Sequence, residues 1–190
     1  MKTVIFNGAK EDDLTIKAIE NTIADQLTEK GWDVEPIELR KMQIAACLGC
    51  LDCWLKTPGT CVINDDGRET TRKAIQSDLM IWLTPVTFGG YSSELKKAID
   101  RILPIMLPYF ESYHGQIFHK MRYKKSPNLL VIGVQEPGVD YEETFMALAG
   151  RNQLNFRLPA YAASVFQRDK NPETIPAFVE QQLKKVEVIS

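Results

Sequence analysis

Short apolar runs alternate along the chain with stretches that have helical periodicity. Val4–Phe6, Leu79–Leu83 and Leu129–Ile132 are continuous apolar runs, which is the pattern of strands buried on both faces of a parallel sheet. Apolar residues that recur every three or four positions predict helices between these runs. The stripes are Ile16, Ile19, Ile23 and Leu27; Leu95, Ala98, Ile99, Ile102 and Leu103; and Ile175, Phe178, Val179, Leu183 and Val186.

Two further strands complete a predicted sheet. Trp32, Val34 and Leu39 alternate around Pro36, and proline cannot donate to a central ladder, so this second strand belongs at an edge. Tyr161–Phe166 is the fifth strand. Right-handed crossovers and an edge position for the second strand predict an α/β, flavodoxin-like doubly wound five-stranded parallel sheet with the order 2-1-3-4-5. We expect a single domain over residues 1–190.

Composition narrows the function classes. The chain has 190 residues, 44% of them hydrophobic, and a formal net charge of −2, so its field favours neither nucleic acid nor an anionic membrane. No apolar run reaches the length of a membrane span, and the N-terminus enters a strand directly, unlike a signal peptide. We therefore expect a cytoplasmic protein without nucleic-acid or membrane partners, whose thiols are reduced or bound to metal.

All four cysteines of the chain lie between residues 47 and 61 with the spacing C-x2-C-x2-C-x7-C: Cys47, Cys50, Cys53 and Cys61. Three thiolates at this spacing can surround one corner of a cubane cluster, and the turn at Pro58-Gly59 can bring the fourth back to close the site. The residues alone leave other interpretations open. These are zinc, disulfides, and ordinary reduced thiols with Cys50 and Cys53 as a redox pair.

In an open parallel sheet, ligands bind beyond the carboxyl ends of the strands at the switch point. The loops at that edge are Asn7–Thr15, Thr84–Tyr91 and Gln135–Tyr141, and the cysteine segment is expected beside them because it follows the second strand. Pro85 sets the direction of the middle loop, and Gly89 and Gly90 let the backbone approach a flat ligand. Ser92 or Ser93 can cap the next helix. A plain strand–helix turn is the alternative for this loop.

The stretch Thr-Pro-Val-Thr-Phe-Gly-Gly, followed by Leu-Lys-Lys-Ala-Ile-Asp-Arg up to residue 101, resembles the NAD(P)H-dependent FMN reductase family. Together with the cysteines and Asp65-Asp66, the chain resembles the iron–sulfur flavoprotein branch of that family. The resemblance implies FMN at the rim, hydride transfer from NAD(P)H to the flavin, and homodimers or homotetramers. No side-chain acid or base is needed for that chemistry, and we expect no catalytic side chain.

The resemblance also implies which residues bind the cofactors. The flavin ring would lie against Pro85, Val86, Thr87, Phe88, Gly89 and Gly90, and a 4Fe-4S cluster would be held by Cys47, Cys50, Cys53 and Cys61. In the first loop, Asn7, Lys10 and Thr15 are the candidate contacts of FMN. Glu11, Asp12 and Asp13 follow Lys10 there and would occupy the positive end of the helix dipole, where the family binds the phosphate. We therefore expect weak FMN binding.

The predicted function is an FMN-dependent NAD(P)H oxidoreductase that passes electrons through a four-cysteine iron–sulfur cluster to a small-molecule or protein acceptor. The alternative is a flavodoxin-like binding or thiol redox-sensing protein that has lost FMN. The segment Pro104–Pro127 is long and carries Tyr109, Phe110, Tyr113, Phe118 and Tyr123. We predict that it forms a subunit interface or a lid, with a locally packed short helix as the alternative.

Overall fold

The computed structural model describes residues 1–186, and residues 187–190, the end of the predicted domain, lie outside the described part. Five parallel strands form the central sheet, and the two strands of a hairpin lie apart from it. The strands are β1 (Lys2–Asn7), β2 (Asp33–Glu38), β3 (Leu79–Pro85), β4 (Met106–Tyr113), β5 (Gln116–Met121), β6 (Asn128–Gln135) and β7 (Tyr161–Gln167). The sheet order is β2-β1-β3-β6-β7, which confirms the predicted flavodoxin-like order.

Helices cover both faces of this sheet. They are α1 (Leu14–Glu29), α2 (Asp52–Leu55), α3 (Asp66–Gln76), α4 (Ser93–Asp100), α5 (Glu142–Phe156) and α6 (Ile175–Lys185). The apolar stripes of α1 and α6 pack on one face, and α3, α4 and α5 contribute to the core on the other. Within residues 1–186, none of the helices combines the length and apolar character that a bilayer span needs.

The sequence pattern explains the strand positions. The central strands β3 and β6 are almost wholly buried, as their continuous apolar runs predict. In the edge strand β2, Pro36 lies opposite Ile5 of β1. Because no further strand within residues 1–186 pairs with the outer edge of β2, no acceptor there needs the N–H that proline lacks. The predicted edge position is therefore confirmed.

The segment from Pro104 to Pro127 is mainly a β-hairpin, so the local-helix alternative was wrong beyond the short 3-10 turn at Leu103–Ile105. His114 and Gly115 have φ angles of 48° and 71°, the backbone of a two-residue turn that matches the twist of the flanking strands. The guanidinium carbon of Arg157 in turn lies 4.0 Å from the ring centroid of Tyr113. This cation–π contact holds the hairpin against the end of α5.

Helix α4 connects two regions of the molecule that matter below. It begins at the edge formed by the carboxyl ends of the strands, and eight residues extend it by about 12 Å at 1.5 Å per residue. Its far end contacts the middle of α3, where the Thr71 hydroxyl donates to the carbonyl of Arg101 over 3.0 Å. The two ends of α4 are therefore separate places.

Candidate functional site

The loop after β3 is a tight turn at the carboxyl edge of the sheet. Thr87 and Gly90 exchange backbone hydrogen bonds of 2.9 Å each way, and Phe88 and Gly89 between them have φ angles of 49° and 77°. A Cβ on Gly89 would also lie 2.8 Å from Cγ2 of Thr144 in α5. Gly89 is therefore required by turn geometry and by packing, a different reason from the close ligand approach that the sequence suggested.

Phe88 occupies a costly position in this turn. Its side chain is 88% exposed, and a left-handed backbone costs a residue with a Cβ roughly 1–2 kcal/mol. An exposed aromatic ring in a strained backbone at the edge of a sheet is a feature that packing within the chain does not explain. The ring is free to contact a flat ligand at this edge.

The first and middle loops are tied together through Ser92. Its hydroxyl donates to the carbonyl of Gly8 over 2.5 Å and accepts from the Leu95 N–H over 3.2 Å, so Ser92 is the predicted cap of α4. The Thr84 hydroxyl accepts from the Ser92 N–H over 3.1 Å. A Cβ on Gly8 would lie 2.8 Å from Cβ of Leu95. These contacts hold the two loops at a fixed separation.

Asn7 has a structural role in the first loop. Its buried amide accepts from the Ala9 N–H over 2.9 Å and donates to the buried carboxylate of Glu20 over 2.7 Å. The other two candidates for FMN contact are available, since Lys10 is exposed and Thr15 is half-buried at the start of α1. The loop therefore offers a lysine and a hydroxyl at the helix N-terminus.

The N-terminus of α1 is capped by a carboxylate. Asp13 accepts from the Ile16 N–H over 3.0 Å and from both terminal nitrogens of Arg168 over 2.8 and 2.7 Å. Burial alone would raise the pKa of Asp13, but the hydrogen bonds from Arg168 and Ile16 hold it below its usual value. An anionic group of the protein itself therefore occupies a helix N-terminus, the kind of position that favours a phosphate.

The neighbouring acids behave differently from Asp13. Asp12 pairs with Arg40, which follows β2, and Glu11 is exposed. No acidic residue lies in the first turn of α1. The expectation that all three acids oppose a phosphate at the helix end was therefore too broad, because only Asp13 caps the helix. The edge of the sheet can accept the isoalloxazine ring of FMN. The N-terminus of α1 can accept the FMN phosphate only if the Asp13 carboxylate moves away from it.

All four cysteines line one apolar recess, with Leu48, Leu51, Ile63, Asp100, Arg101, Leu103 and Pro104. Cys47 and Cys50 are exposed, Cys61 is half-buried and Cys53 is buried. Burial, and then the charges of the other three cysteines, raise the pKa of Cys53. Within residues 1–186, no three His, Cys, Asp or Glu side chains are arranged to hold one metal ion. Cysteine thiolates are the donor type that iron–sulfur clusters use, so the chemistry of the four side chains suits such a group.

The cysteine recess lies at the C-terminal end of α4, since Asp100 and Arg101 form part of its wall. The loop after β3, Thr84–Tyr91, meets the N-terminal end of the same helix at Ser92. The two sets of residues therefore lie at opposite ends of α4, and the position of the cysteines beside the three loops at the carboxyl edge stays a prediction. The indole of Trp54 anchors the cysteine segment to the hairpin by donating to the Met106 carbonyl over 2.9 Å.

Arg101 is the buried charge of this recess. Its side chain is 1% exposed, and its terminal nitrogens donate to the two carboxylate oxygens of Asp65 over 2.8 and 2.7 Å. Burial would raise the pKa of Asp65, but Arg101 and the Ala45 N–H hold it below its usual value. Asp65 is also the N-cap of α3. The sequence indicates a turn and a helix start at Asp65-Asp66-Gly67, which the N-cap confirms, but it does not show the pairing of Asp65 with Arg101.

The first 120 residues match the family model described as NADPH-dependent FMN reductase. The chain belongs to this family. Residues 1–120 include both rim loops bound by Ser92, the cysteine segment and Arg101. The family match therefore covers both ends of α4, and the resemblance found in the sequence is confirmed.

Curated relatives of this chain are named iron–sulfur flavoproteins. An iron–sulfur flavoprotein of Methanocaldococcus jannaschii is 30% identical over 57% of this chain and 55% of its own length. One of Archaeoglobus fulgidus is 34% identical over 52% of this chain and 40% of its own length. The chain thus spans about half the length of the curated relatives it matches. The name iron–sulfur flavoprotein belongs to those relatives and does not by itself describe this chain.

Solved structures share the fold at low sequence identity. An NAD(P)H:quinone oxidoreductase from Methanothermobacter marburgensis has a TM-score of 0.70 and 12% identity, over 95% of this chain and 93% of that one. An FMN-dependent NADH-azoreductase from Bacillus anthracis, solved with FMN, has a TM-score of 0.67 and 16% identity, over 97% and 96%. At these identities the likeness supports the flavodoxin-like fold alone.

Proposed function

We propose that this protein is an FMN-dependent NAD(P)H oxidoreductase whose flavin ring lies across the turn Pro85–Gly90. The observation that carries the proposal is the exposed Phe88 in a left-handed backbone at the carboxyl edge of β3, inside the part of the chain that matches the family. FMN would supply hydride chemistry when bound. The protein would position its ring with the turn and with the Gly8–Ser92 contact.

Phe88→Ala tests the ring site without disturbing the core. Because the side chain is 88% exposed, the variant should unfold at an unchanged or slightly higher temperature and bind FMN at least tenfold more weakly by fluorescence titration. Leu55→Ala is the matched control, since Leu55 is 75% exposed near the cysteines. Equal FMN affinity in Phe88→Ala and wild type would place the ring elsewhere. This variant is sharper than a change at Gly89, where a larger residue also strains the turn.

The phosphate would bind near Lys10 and Thr15, at the N-terminus of α1. Asp13→Asn keeps a good capping side chain and removes the charge that faces the phosphate. We expect it to tighten FMN binding at least tenfold. Asp12→Asn removes the same charge from the pair with Arg40 and serves as the control. If Asp13→Asn leaves the affinity unchanged, the phosphate lies away from this cap.

We further propose that Cys47, Cys50, Cys53 and Cys61 hold a four-iron cluster in their recess. The support is the convergence of all four thiols on one apolar surface and the name of the curated relatives. Such a cluster would carry electrons singly between the flavin and an acceptor. Anaerobic reconstitution with iron and sulfide should load the wild type and fail in Cys61→Ser. Equal iron content in both would remove Cys61 from any cluster.

One observation favours the second candidate, a flavodoxin-like thiol protein without FMN. It is the ion pair between Asp13 and Arg168, which already satisfies the N-terminus of α1. One absorption spectrum of anaerobically purified protein separates the candidates. Flavin bands would indicate bound FMN, a broad shoulder would indicate an iron–sulfur cluster, and a spectrum with neither would favour the thiol protein. NADH or NADPH oxidation with added FMN then measures activity.

The hairpin is our proposed contact between subunits. Tyr109 and Phe110 are 65% and 63% exposed on β4, and aromatic side chains are enriched in interface cores. Replacing both with glutamate should shift a dimer toward monomer in analytical ultracentrifugation. A wild type that already sediments as a monomer at micromolar concentration would leave the hairpin as a cover for the cysteine segment.

A further inference from the structure

We propose that Arg101 clamps the two ends of the cysteine segment and balances the negative charge of the group that the cysteines hold. The charge-balancing part rests on the cluster proposed above. The clamping part concerns the protein alone. Arg101 is a positioning residue, since its nitrogens bind protein oxygens and the thiols would bind the cluster.

The clamp is visible in the hydrogen bonds of one guanidinium. Nη1 of Arg101 donates to the carbonyl of Ala45 over 2.9 Å, and Nη2 donates to the carbonyl of Ile63 over 3.3 Å. Ala45 precedes Cys47 and Ile63 follows Cys61. A single side chain, fixed at the end of α4, therefore joins the chain on both sides of the cysteines.

The side chain is also built to carry charge in the recess. Arg101 is 1% exposed, and a cation so deeply buried is costly unless anions surround it. Asp65 supplies one negative charge. Within residues 1–186, Nε of Arg101 has no hydrogen-bond partner, although Arg101 lines the same recess as the four cysteines. Thiolates in that recess would give this cation further negative charge to balance.

An arginine suits both tasks because its planar fork donates to a carboxylate and to two carbonyls at once. Lysine keeps the charge but concentrates its donors on one atom. Arg101→Lys therefore separates the clamp from the charge, and Arg101→Met removes both. Asp65→Asn acts in the opposite sense, since it leaves Arg101 with more uncompensated positive charge. Arg72→Met is the matched control, because Arg72 is an arginine of α3 that pairs with Glu69 outside the recess.

The charge is tested by the reduction potential of reconstituted protein that circular dichroism shows to be folded. Arg101→Met should lower the reduction equilibrium constant at least tenfold, which is 59 mV for a one-electron couple. Asp65→Asn should shift it in the opposite direction, and Arg72→Met should match the wild type. A purely structural role predicts shifts of the same sign in both recess variants. Shifts of the same sign, or equal potentials in all proteins, would overturn the charge role and leave the cluster intact.

The clamp is tested on the metal-free protein by maleimide labelling at one pH, read by mass spectrometry. Cys53 is buried, and its labelling should become several-fold faster in both Arg101→Lys and Arg101→Met than in wild type and Arg72→Met. An unchanged rate in the two Arg101 variants would overturn the clamp. Failure of the wild type to take up iron would overturn the cluster and the charge role together, and the labelling rates would still decide the clamp.

Discussion

The two ends of α4 are held by opposite kinds of interaction. At the rim, the hydroxyl of Ser92, the carbonyl of Gly8 and close packing fix two loops without any formal charge. At the other end, the buried pair of Arg101 and Asp65 fixes the cysteine segment. The comparison indicates that the contact between the first and middle loops is set by shape, while the acids of the first loop pair elsewhere, Asp13 with Arg168 and Asp12 with Arg40. The recess is set by charge, and any group placed there must fit that charge.

The largest effect should come from breaking the charged end. Asp65→Asn leaves the buried guanidinium of Arg101 without a counter-ion, and losing one partner of a buried pair costs about 3–5 kcal/mol. Urea unfolding followed by circular dichroism measures this loss. Asp100→Asn breaks an exposed pair with Lys96 and should change stability by less than about 0.5 kcal/mol. A loss in Asp65→Asn no larger than in this control would show that the recess is not held by charge.

The second effect tests whether the rim is set by shape. A Cβ on Gly8 would meet Leu95 and the Ser92 oxygen at 2.8 Å, and overpacking costs about 1–3 kcal/mol. Gly8→Ala should be destabilised by that amount in the same urea experiment. Gly150→Ala is the control, since its nearest contact is 3.8 Å away and alanine in a helix gains up to about 1 kcal/mol. Equal stability of the two variants would contradict close packing at Gly8.

Ser92→Ala should have a smaller effect. It removes the cap of α4 and the hydrogen bond to Gly8, which together contribute about 1–2 kcal/mol. Thermal unfolding measures the change, with Ser93→Ala as the control because Ser93 is exposed beside it. If maleimide also labels Cys53 faster in Ser92→Ala than in wild type, the two ends of α4 are coupled.

The smallest expected effect concerns acid stability. The pKa of Asp13 is depressed in the folded protein, so its stabilising contribution is present above the unfolded value of about 3.9 and is lost as the pH falls through the folded value. Asp13→Asn keeps the cap but loses the ion pair with Arg168, which should cost about 1 kcal/mol at pH 7. Its stability should also change less than that of wild type between pH 5 and pH 2. Parallel pH profiles of the two proteins would contradict a charged cap.

Patterns that depend on neighbours in sequence predicted most of the fold. The apolar runs of β3 and β6, the proline in β2 and the cap at Ser92 each act locally, and each prediction was confirmed. The hairpin was not predicted, because its aromatic residues are as typical of a strand as of a subunit interface. Its turn also uses His114, a residue that is less typical of a positive φ than Asn or Gly.

The candidate site was less predictable because its pairs join distant parts of the chain. Arg101 and Asp65 are 36 residues apart, and Arg168 and Asp13 are 155 apart. A single sequence shows that each side chain is charged, but it does not show which charges meet. Arg101 does end the Leu-Lys-Lys-Ala-Ile-Asp-Arg stretch on an apolar helix stripe, and that position was the available signal of a buried arginine.

The length of α4 carries a consequence for insertions and deletions. Ser92 precedes the helix and Arg101 follows it, with eight residues between them. One inserted residue would turn Arg101 by about 100° around the helix axis and advance it by about 1.5 Å. The guanidinium would then leave Ala45 and Ile63 while every residue of both sites remained present. A change of length at this helix should therefore be tolerated far less well than a substitution on its exposed face.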